Sequence, residues 1–399
     1  MKKVIYIANA RLPTEKAHGY QICKMCEAFA QNGVEVQLWH PSRHQSDAKL
    51  RNQTGFDYYG IAPIFQIKTL PNWDVVQLNC WVPDNWFTPI FFAHGLFWGR
   101  HAARAAAAEN ADVYFTRESA TAYWLTRFGL PTVYEAHVVP KRAQLGILRR
   151  IARHPALSLV VVLTSFIKAE FVKMGFAREK IAVVPDGVDL SLFAELPSRA
   201  ACRRRFDLPA DRPIVGYIGR FRAMEMEKGV PTLINAMKYL HAINGREPLL
   251  LCVGGPMDAV PSYLELARRH GLAESRLRFV DRVSTREVPL WMRACDVVTI
   301  PWGWNEFSAY YTSPLKLFEY MAAGVPMLAS DLPALREVLR NEENALLVAP
   351  GDPQQLSAGI VRLTTDATLS ERLARCASQE VRRYSWEGRA RQILQNSMN

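Results

Sequence analysis

The chain has 399 residues, a hydrophobic fraction of 49% and a charged fraction of 22%, values typical of a globular protein with room for two domains. Its formal net charge of +11 favours an anionic partner: a nucleotide, an acidic lipid surface or a nucleic acid. No apolar run approaches the length of a bilayer span, and the opening MKKVIYIANA predicts a buried strand and not a signal peptide. Seven scattered cysteines favour a reducing cytosol over a disulfide framework, so we expect a cytoplasmic protein.

The first half of the chain alternates short apolar strands with amphipathic helices. A helix is predicted over 20–32, and strands are predicted over 4–7, 34–39, 112–117, 132–137, 159–163 and 181–185. Gly19, directly before the helix, would let a substrate approach the backbone or would serve only as a loop glycine. His137 ends a strand, at the edge where ligands collect in parallel sheets, although a lone histidine is as often structural.

Two stretches of the first half have an unusual composition. Residues 75–98 are rich in Trp and Phe, which predicts an acceptor groove, a membrane-surface wedge or simply core. Residues 141–154 interleave Lys and Arg with apolar side chains. This second pattern suits an interfacial helix on anionic lipid, but it is more often the solvated face of an ordinary surface helix.

The second half repeats the alternation, which predicts a second sheet. Strands are predicted over 214–218, 249–253, 277–280, 297–301 and 325–329, with 331–339 and 345–348 completing the sheet. Gly219 and Arg220 follow the first of these strands, and Glu227-Lys228-Gly229 precedes a helix over VPTLINAMKYL. The chain therefore consists of two similar α/β halves joined near Asp189.

Residues 312–331, TSPLKLFEYMAAGVPMLASD, carry the strongest functional signal. Thr312 and Ser313 predict a hydroxyl cap, Pro314 the first helical position and Gly324 the helix end. The free N–H groups at such a helix start suit a phosphate. A lysine in the first turn, Lys316, opposes the helix dipole and so points to a ligand. The stretch predicts a binding site for a phosphorylated ligand.

These motifs resemble those of a known family. SPLKLFEYMAAG with VPMLAS, TVYEAH, VPDGVD and GRF…EKG resemble the donor-binding segments of retaining GT-B glycosyltransferases of family 4 (group 1), in the sub-group with an SPxK helix start. The resemblance implies the GT-B fold, two Rossmann-like domains facing a central cleft. It implies an acceptor-binding domain over 1–190, a donor-binding domain over 191–380, and a C-terminal helix over 381–399 that packs back on the first domain.

The same resemblance assigns roles to individual residues. Arg220 and Lys228 would neutralise the donor's pyrophosphate, His137 would contact the donor sugar, and Glu319 would hold the ribose hydroxyls. The family has a second Glu eight residues earlier, where this chain has Tyr311, so recognition of the donor sugar stays open. The remaining expected donor contacts come from backbone amides, glycine loops and a first-turn lysine: Gly19, Gly187, Gly219, Val283, Thr312, Ser313 and Lys316.

The function implied is sugar transfer, with retention, from a nucleoside-diphosphate sugar to a hydroxyl of a polysaccharide, glycolipid or lipid-linked glycan. The resemblance implies no metal and no further cofactor, and it allows peripheral contact with an anionic membrane. Two alternatives stay open: a nucleotide-sugar epimerase or hydrolase, and a non-catalytic binding subunit. A dinucleotide dehydrogenase is disfavoured because no GxGxxG follows the first strand, and nucleic-acid binding rests on charge alone, so we expect none.

Overall fold

The structure, a computed structural model, describes residues 2–48, 50–80, 84–140, 144–223 and 226–397. It divides the chain into two compact units. The first consists of Met1–Asp186 with Trp386–Asn399, and the second is Gly187–Ser385. The sequence-based boundaries fell after residues 190 and 380.

The first unit is built on a seven-stranded sheet whose paired strands are all parallel, in the order β3-β2-β1-β4-β5-β6-β7. The strands are β1 Lys3–Ile7, β2 Glu35–Pro41, β3 Gln66–Leu70, β4 Val113–Thr116, β5 Thr132–Ala136, β6 Leu157–Val162 and β7 Ile181–Val183. Central strands such as β4 and β5 are buried along their whole length, as expected for a parallel sheet covered on both faces.

In the described part of this unit, seven helices connect and cover the sheet. They are α1 Ala17–Gln31, α2 Gly55–Tyr59, α3 Asp84–Ala106, α4 Ser119–Arg127, α5 Leu145–Ala152, α6 Ser165–Lys173 and, from the other end of the chain, α16 Trp386–Ser397. Local sequence sets several of their starts. The hydroxyl of Thr164, for example, accepts a hydrogen bond from the backbone of Ile167 and caps α6.

The second unit has a six-stranded sheet, also with parallel pairs, in the order β12-β11-β8-β13-β14-β15. Its strands are β8 Ile214–Ile218, β11 Leu249–Val253, β12 Leu277–Val280, β13 Val297–Ile300, β14 Met327–Ser330 and β15 Leu346–Val348. A small antiparallel hairpin, β9 Arg222–Ala223 with β10 Met226–Glu227, interrupts the first connection. A βα alternation around a parallel sheet makes each unit Rossmann-like, which confirms the predicted fold class.

The helices of the second unit are α7 Arg199–Arg205, α8 Val230–Met237, α9 Val260–Arg269, α10 Val288–Arg293, α11 Glu306–Tyr310, α12 Leu315–Ala322, α13 Pro333–Arg336, α14 Pro353–Thr365 and α15 Ala367–Glu380. Apolar side chains pack on both faces of the sheet. Phe318 and Met321 of α12 belong to one of the two buried clusters. The helix α12, which precedes β14, is therefore anchored in the second unit by its apolar face.

Two local predictions were wrong. Residues 331–339 do not complete the sheet, because Pro333 starts the short helix α13. The helix over 20–32 begins earlier, at Ala17, so Gly19 lies in its first turn and not before it. A Cβ at Gly19 would lie 2.0 Å from the hydroxyl oxygen of Tyr59, which is why the position suits glycine.

The basic stretch over 141–154 forms the short helix α5, and its first residues, 141–143, lie outside the described part of the chain. Leu148 and Ile151 are buried within the unit, whereas Arg149 and Arg150 are exposed. The apolar face is therefore occupied by protein, as in an ordinary surface helix. Among the described residues, no helix combines the length and the apolar character that a bilayer crossing requires.

The aromatic stretch over 75–98 is split between interior and surface. Trp98 is buried in the core of the first unit, whereas Phe97 beside it is exposed. Trp81 lies outside the described residues. Part of this stretch therefore belongs to the core, which was one of the three interpretations of its composition.

Candidate functional site

The carboxyl edge of the second sheet brings two glycine loops into close contact. Gly219 follows β8 and donates its N–H to the carbonyl of Val253, 2.7 Å away, at the end of β11. A Cβ at Gly254 would lie only 2.6 Å from the carbonyl oxygen of Gly219, and both glycines have positive φ. Neither position accommodates a side chain, so backbone lines this edge of the sheet.

Lys316, in the first turn of α12, reaches this edge. Its Nζ lies 3.8 Å from the centre of the Tyr217 ring, and a Cβ at Gly219 would lie 2.5 Å from the same nitrogen. The Nζ atom is buried and has no hydrogen-bond partner among the described residues. A buried ammonium that lies over a ring face without a hydrogen-bond partner in the described part of the chain has unused donors, which an anionic ligand would satisfy.

The start of α12 differs in detail from the prediction. Pro314 is the N-cap residue, where the sequence predicted a hydroxyl residue, and its side chain makes no cap hydrogen bond. The first helical residue is Leu315, one position later than predicted. The predicted stop is confirmed, because Gly324 follows the last turn with a φ of +63°.

Lys316 and Glu319 share the first turns of α12, and burial perturbs both. Burial and, less strongly, the nearby Lys228 lower the pKa of Lys316, and Glu319 opposes the shift, so that the pKa is about 7. Burial raises the pKa of Glu319 to about 7, and Lys316 opposes this shift. Both groups therefore titrate near neutral pH, as groups poised for a charged ligand do.

Lys228 lies directly before α8. Its Nζ lies 5.0 Å from the centre of the Trp302 ring and 5.8 Å from that of Phe307, and burial lowers its pKa. The next residue, Gly229, is the N-cap with a φ of +89°, and a Cβ there would lie 2.2 Å from the carbonyl oxygen of Pro301. The backbone of Gly229 therefore lies directly against Pro301, and this places the neighbouring Lys228 beside the loop that follows β13.

The remaining predicted donor contacts are less closely grouped. Arg220 follows Gly219, and its Nε is buried without a hydrogen-bond partner in the described structure. Val283 is partly buried behind β12, and Gly187 is the first residue of the second unit. Tyr311, at the position where the family has a glutamate, donates its hydroxyl to Oε1 of Glu306 at 3.3 Å. The carboxylate of Glu306, the first residue of α11, thus contacts the residue that replaces the glutamate.

His137 belongs to the first unit, where it follows β5 at the carboxyl edge of that sheet. Its Nε2 lies 3.1 Å from Oε1 of Glu135, and its side chain is 18% exposed. Burial and Arg117 lower the pKa of His137, while the Glu135 carboxylate opposes the shift. The imidazole is therefore neutral at neutral pH.

Glu135, His137 and Asp186 place their ligand atoms within 4.8 Å of one another, a spacing that suits a metal ion. However, Arg389 of α16 donates a hydrogen bond to the same Oε1 of Glu135. A guanidinium thus already compensates the buried carboxylate, and we interpret the group as an ion-pair network.

Sequence reasoning missed Arg389, and a signal for it was present. The buried residues of α16 follow a helical spacing, and Arg389 is the one charged residue in that set: Trp386, Arg389, Ala390 and Ile393. An arginine on the apolar face of a helix indicates a buried acidic partner. Tyr217 and Trp302, the rings beside the two lysines, carried no comparable signal.

Comparisons with known proteins agree with this architecture. A model described as "Glycosyltransferase Family 4" matches residues 19–192, and one described as "Glycosyl transferases group 1" matches residues 212–366. D-inositol 3-phosphate glycosyltransferase of Thermobispora bispora is 28% identical over 302 residues, 68% of this chain and 68% of that one. The enzyme of the same name from Stackebrandtia nassauensis is 28% identical over 69% of this chain and 65% of its own length.

Solved structures cover the whole chain. Sucrose-phosphate synthase from Thermosynechococcus elongatus superimposes with a TM-score of 0.72 at 20% identity, covering 99% of this chain and 98% of that one. HepE of Anabaena, in complex with UDP-glucose, gives a TM-score of 0.69 at 19% identity, covering 99% of both chains. Two Rossmann-like units of this kind define a GT-B glycosyltransferase. With both domain models matched over most of its length, the chain belongs to glycosyltransferase family 4.

Proposed function

We propose that this glycosyltransferase moves a sugar, with retention of configuration, from a nucleoside-diphosphate sugar to an acceptor hydroxyl. The observation that carries the proposal is the unpartnered, buried ammonium of Lys316 beside Gly219, with Lys228 close enough to lower its pKa. Two partly desolvated cations repel each other in the free protein. A diphosphate would relieve that repulsion and supply the missing acceptors.

In the proposed reaction these cations stabilise the negative charge of the leaving diphosphate. As the bond between the anomeric carbon and the diphosphate oxygen breaks, negative charge develops on the leaving group. Lys228, Arg220 and Lys316 would stabilise it as fixed cations, so we expect no requirement for a divalent metal or another cofactor. The acceptor oxygen would attack on the face that the diphosphate leaves, and a departing phosphate oxygen would take the acceptor's proton.

The other site residues would orient the donor. Glu319 would accept hydrogen bonds from the ribose hydroxyls, and the amides at Thr312 and Ser313 would contact the phosphates. His137, neutral at physiological pH, would contact a hydroxyl of the donor sugar. Gly19, Gly187, Gly219 and Val283 would approach the donor through their backbones.

The donor class is supported by the solved structures of Anabaena HepE, which hold UDP or UDP-glucose. The curated relatives are named for transfer to D-inositol 3-phosphate, which supports a hydroxyl acceptor. For this chain we propose a glycan or glycolipid acceptor in the cytoplasm, with peripheral contact to an anionic membrane. Exposed basic side chains on α5 and the exposed Phe97 support that contact.

The first experiment is thermal unfolding with UDP, GDP, ADP and their sugars in the presence of EDTA. A ligand at a hundred times its dissociation constant adds about 2.7 kcal/mol to the free energy of unfolding, which gives a clear shift in Tm. We expect one base to shift the transition without metal. If no nucleotide does so, the donor site is absent and a non-catalytic binding subunit becomes the better interpretation.

The second experiment uses the nucleotide sugar identified in the first. Incubation with and without a panel of glycan and glycolipid acceptors, followed by mass spectrometry and NMR of the product, separates three outcomes. An α-linked product from an α-linked donor supports the proposal. Inverted product contradicts retention, and donor consumption that is equally fast without acceptor identifies an epimerase or hydrolase.

A further inference from the structure

Arg389 of α16 and Glu135 of β5 form an ion pair that is almost completely buried in the first unit, with side-chain exposures of 2% and 0%. The two residues are 254 positions apart in the chain. Burying two charges costs desolvation energy that the attraction between them only partly offsets. A pair of apolar side chains in the same place would stabilise the fold about as well. A functional role for the ion pair is therefore worth testing.

All three nitrogens of the Arg389 guanidinium have a partner. Its Nε donates to the carbonyl of Pro185 at 2.8 Å, its Nη2 donates to the carbonyl of Val184 at 3.3 Å and to Glu135, and its Nη1 contacts the sulfur of Met25. These partners come from α1, β5 and the segment after β7. The planar fork of arginine matches this set, whereas the single ammonium of lysine reaches only part of it.

One oxygen of Glu135 connects this arginine to His137. Oε1 accepts hydrogen bonds from Arg389 and from Nε2 of Gln21 at 3.1 Å. It lies 3.1 Å from Nε2 of His137, a charge contact without the alignment of a hydrogen bond. The other oxygen, Oε2, is buried with no hydrogen-bond partner among the described residues. The carboxylate is therefore held from one side only, and Arg389 is its only fully charged hydrogen-bond donor there.

We propose that Arg389 is a positioning residue for His137: it keeps Glu135 ionised, and the carboxylate in turn favours the tautomer with the proton on Nε2, while burial and the nearby Arg117 keep the ring neutral. The other ring nitrogen, Nδ1, is then left as an acceptor for a hydroxyl of the donor sugar. This inference rests on the proposed function, since it assigns the state in which His137 meets that sugar.

The electrostatics of the cluster support the proposal. Burial would raise the pKa of Glu135, but Arg389 and, less strongly, His137 and Arg117 hold it well below its usual range. The pKa of His137 is lowered by burial and by Arg117. The titratable and charged groups that face this pair from the surrounding elements are Tyr6, His18, Cys26, Arg117, Asp186 and Arg389.

Loss of the guanidinium would leave a buried carboxylate facing an imidazole. The favourable response is to take up one proton, which gives either a neutral acid or an imidazolium beside the carboxylate. A neutral Glu135 no longer favours the Nε2–H tautomer of His137. An imidazolium carries a proton on both nitrogens and has no acceptor nitrogen. The apparent pKa of the pair therefore rises when Arg389 is removed.

The test compares Arg389→Met, which keeps length without charge, with Arg389→Lys, which keeps charge without the fork. Arg391→Met is the matched control, because Arg391 lies on the same helix but is exposed. The first readout is the ring 15N and 13C NMR shifts of His137 in the ligand-free protein from pH 5 to 9. The His137 signals are assigned by their loss in His137→Gln.

In the wild type and in Arg391→Met we expect a neutral Nε2–H imidazole at pH 7. In Arg389→Met the His137 titration should move to higher pH by about one unit or more, and Arg389→Lys should restore part of the shift. An unchanged titration in Arg389→Met, or an Nδ1–H tautomer in the wild type, overturns the proposal. If Arg389→Met does not fold, Arg389→Lys carries the measurement with a smaller expected move to higher pH. Glu135→Gln, which removes the carboxylate that raises the pKa of His137, should move the titration to lower pH.

The second readout is the pH profile of sugar transfer. We expect at least a tenfold lower kcat in Arg389→Met at pH 7, an acidic limb displaced toward higher pH, and UDP affinity within twofold of wild type. A loss of kcat that has the same pH profile as wild type contradicts the proposal and indicates a structural role. Because the NMR measurement needs no substrate, a wild-type protein that transfers no sugar refutes the proposed function separately.

Discussion

The ammonium of Lys316 occupies the space that a side chain at Gly219 would need, with Nζ 2.5 Å from the position of that Cβ. The lysine thus lies against bare backbone at the end of β8 and over the ring of Tyr217. Its charge is held where strand, glycine loop and helix start meet.

Gly219→Ala should displace Lys316 and reduce sugar transfer at least tenfold. The φ of +141° adds backbone strain on the order of 1–3 kcal/mol, so some stability is lost as well. Gly245→Ala is the matched control, because Gly245 also has a positive φ of +74° but nothing lies within 4 Å of its added Cβ. The measurement is kcat together with Tm for both variants. Equal activity losses in the two would show that strain, and not displacement of Lys316, is responsible.

Lys228→Met should lower kcat by about a hundredfold or more while changing Tm little, because a fixed donor to a developing oxyanion contributes on this scale. Lys228 is only partly buried, and its ammonium contacts rings and not a structural carboxylate. Lys238→Met serves as the control, since Lys238 is exposed at the end of α8. Steady-state transfer and a melting curve suffice. Unimpaired turnover in Lys228→Met would refute its assignment to the diphosphate.

Nucleotide-sugar binding should be strongest near pH 7. The pKa of Lys316 is about 7 in the free protein, and a bound diphosphate favours the ammonium, so affinity should fall by up to tenfold per unit as the pH rises above that value. The pKa of Glu319 is also about 7, and its ionised form is needed for the ribose, so affinity should also fall below that value.

Titration calorimetry with UDP-glucose is the suitable measurement, because its esterified phosphates do not titrate in this range, whereas the terminal phosphate of UDP does. Lys316→Met should bind more weakly and lose only the alkaline limb. An alkaline limb that survives in this variant would mean that another group takes up the proton.

Glu319→Gln should weaken UDP binding by about tenfold, since a carboxylate accepts charge-assisted hydrogen bonds that are roughly twice as strong as those of an amide. It should also remove the acidic limb of the binding profile. The exposed Glu371→Gln is the control. Comparison with 2′,3′-dideoxy-UDP locates the contact, because the two proteins should bind that analogue equally well if Glu319 holds the ribose. A persistent difference would place Glu319 elsewhere.

Much of the fold could be predicted from hydrophobic patterns. The strands Ile214–Ile218, Leu249–Val253 and Leu277–Val280 have the predicted bounds, because each is a short, mainly apolar run that ends at turn residues. The segment over 331–339 was assigned to the sheet in error, since its apolar residues cannot distinguish a short helix from a strand. Proline at the first helical position, Pro333, was the signal that should have decided it.

The segment over 312–331 could be found from local sequence, because Lys316 and Glu319 lie in one helix and Gly324 follows its end. The cluster around His137 could be predicted only in part. Glu135 lies two residues from His137 in β5, but Gln21 and Arg389 reach it from α1 and α16. Contacts between positions so distant in the chain depend on the tertiary fold, which no local pattern encodes.

The placement of α16 bears on the order in which the protein is completed during synthesis. Residues 1–186 leave the ribosome first, and as a rule an N-terminal domain folds first. Here, however, its sheet lacks the helix Trp386–Ser397 until the whole second unit has been made. Until then Glu135 lacks the guanidinium that donates a hydrogen bond to it, and a buried carboxylate without that partner is unfavourable. The first unit can therefore reach its final state only after translation has passed α16, so the charge that completes its ion-pair network is the last part of it to be synthesised.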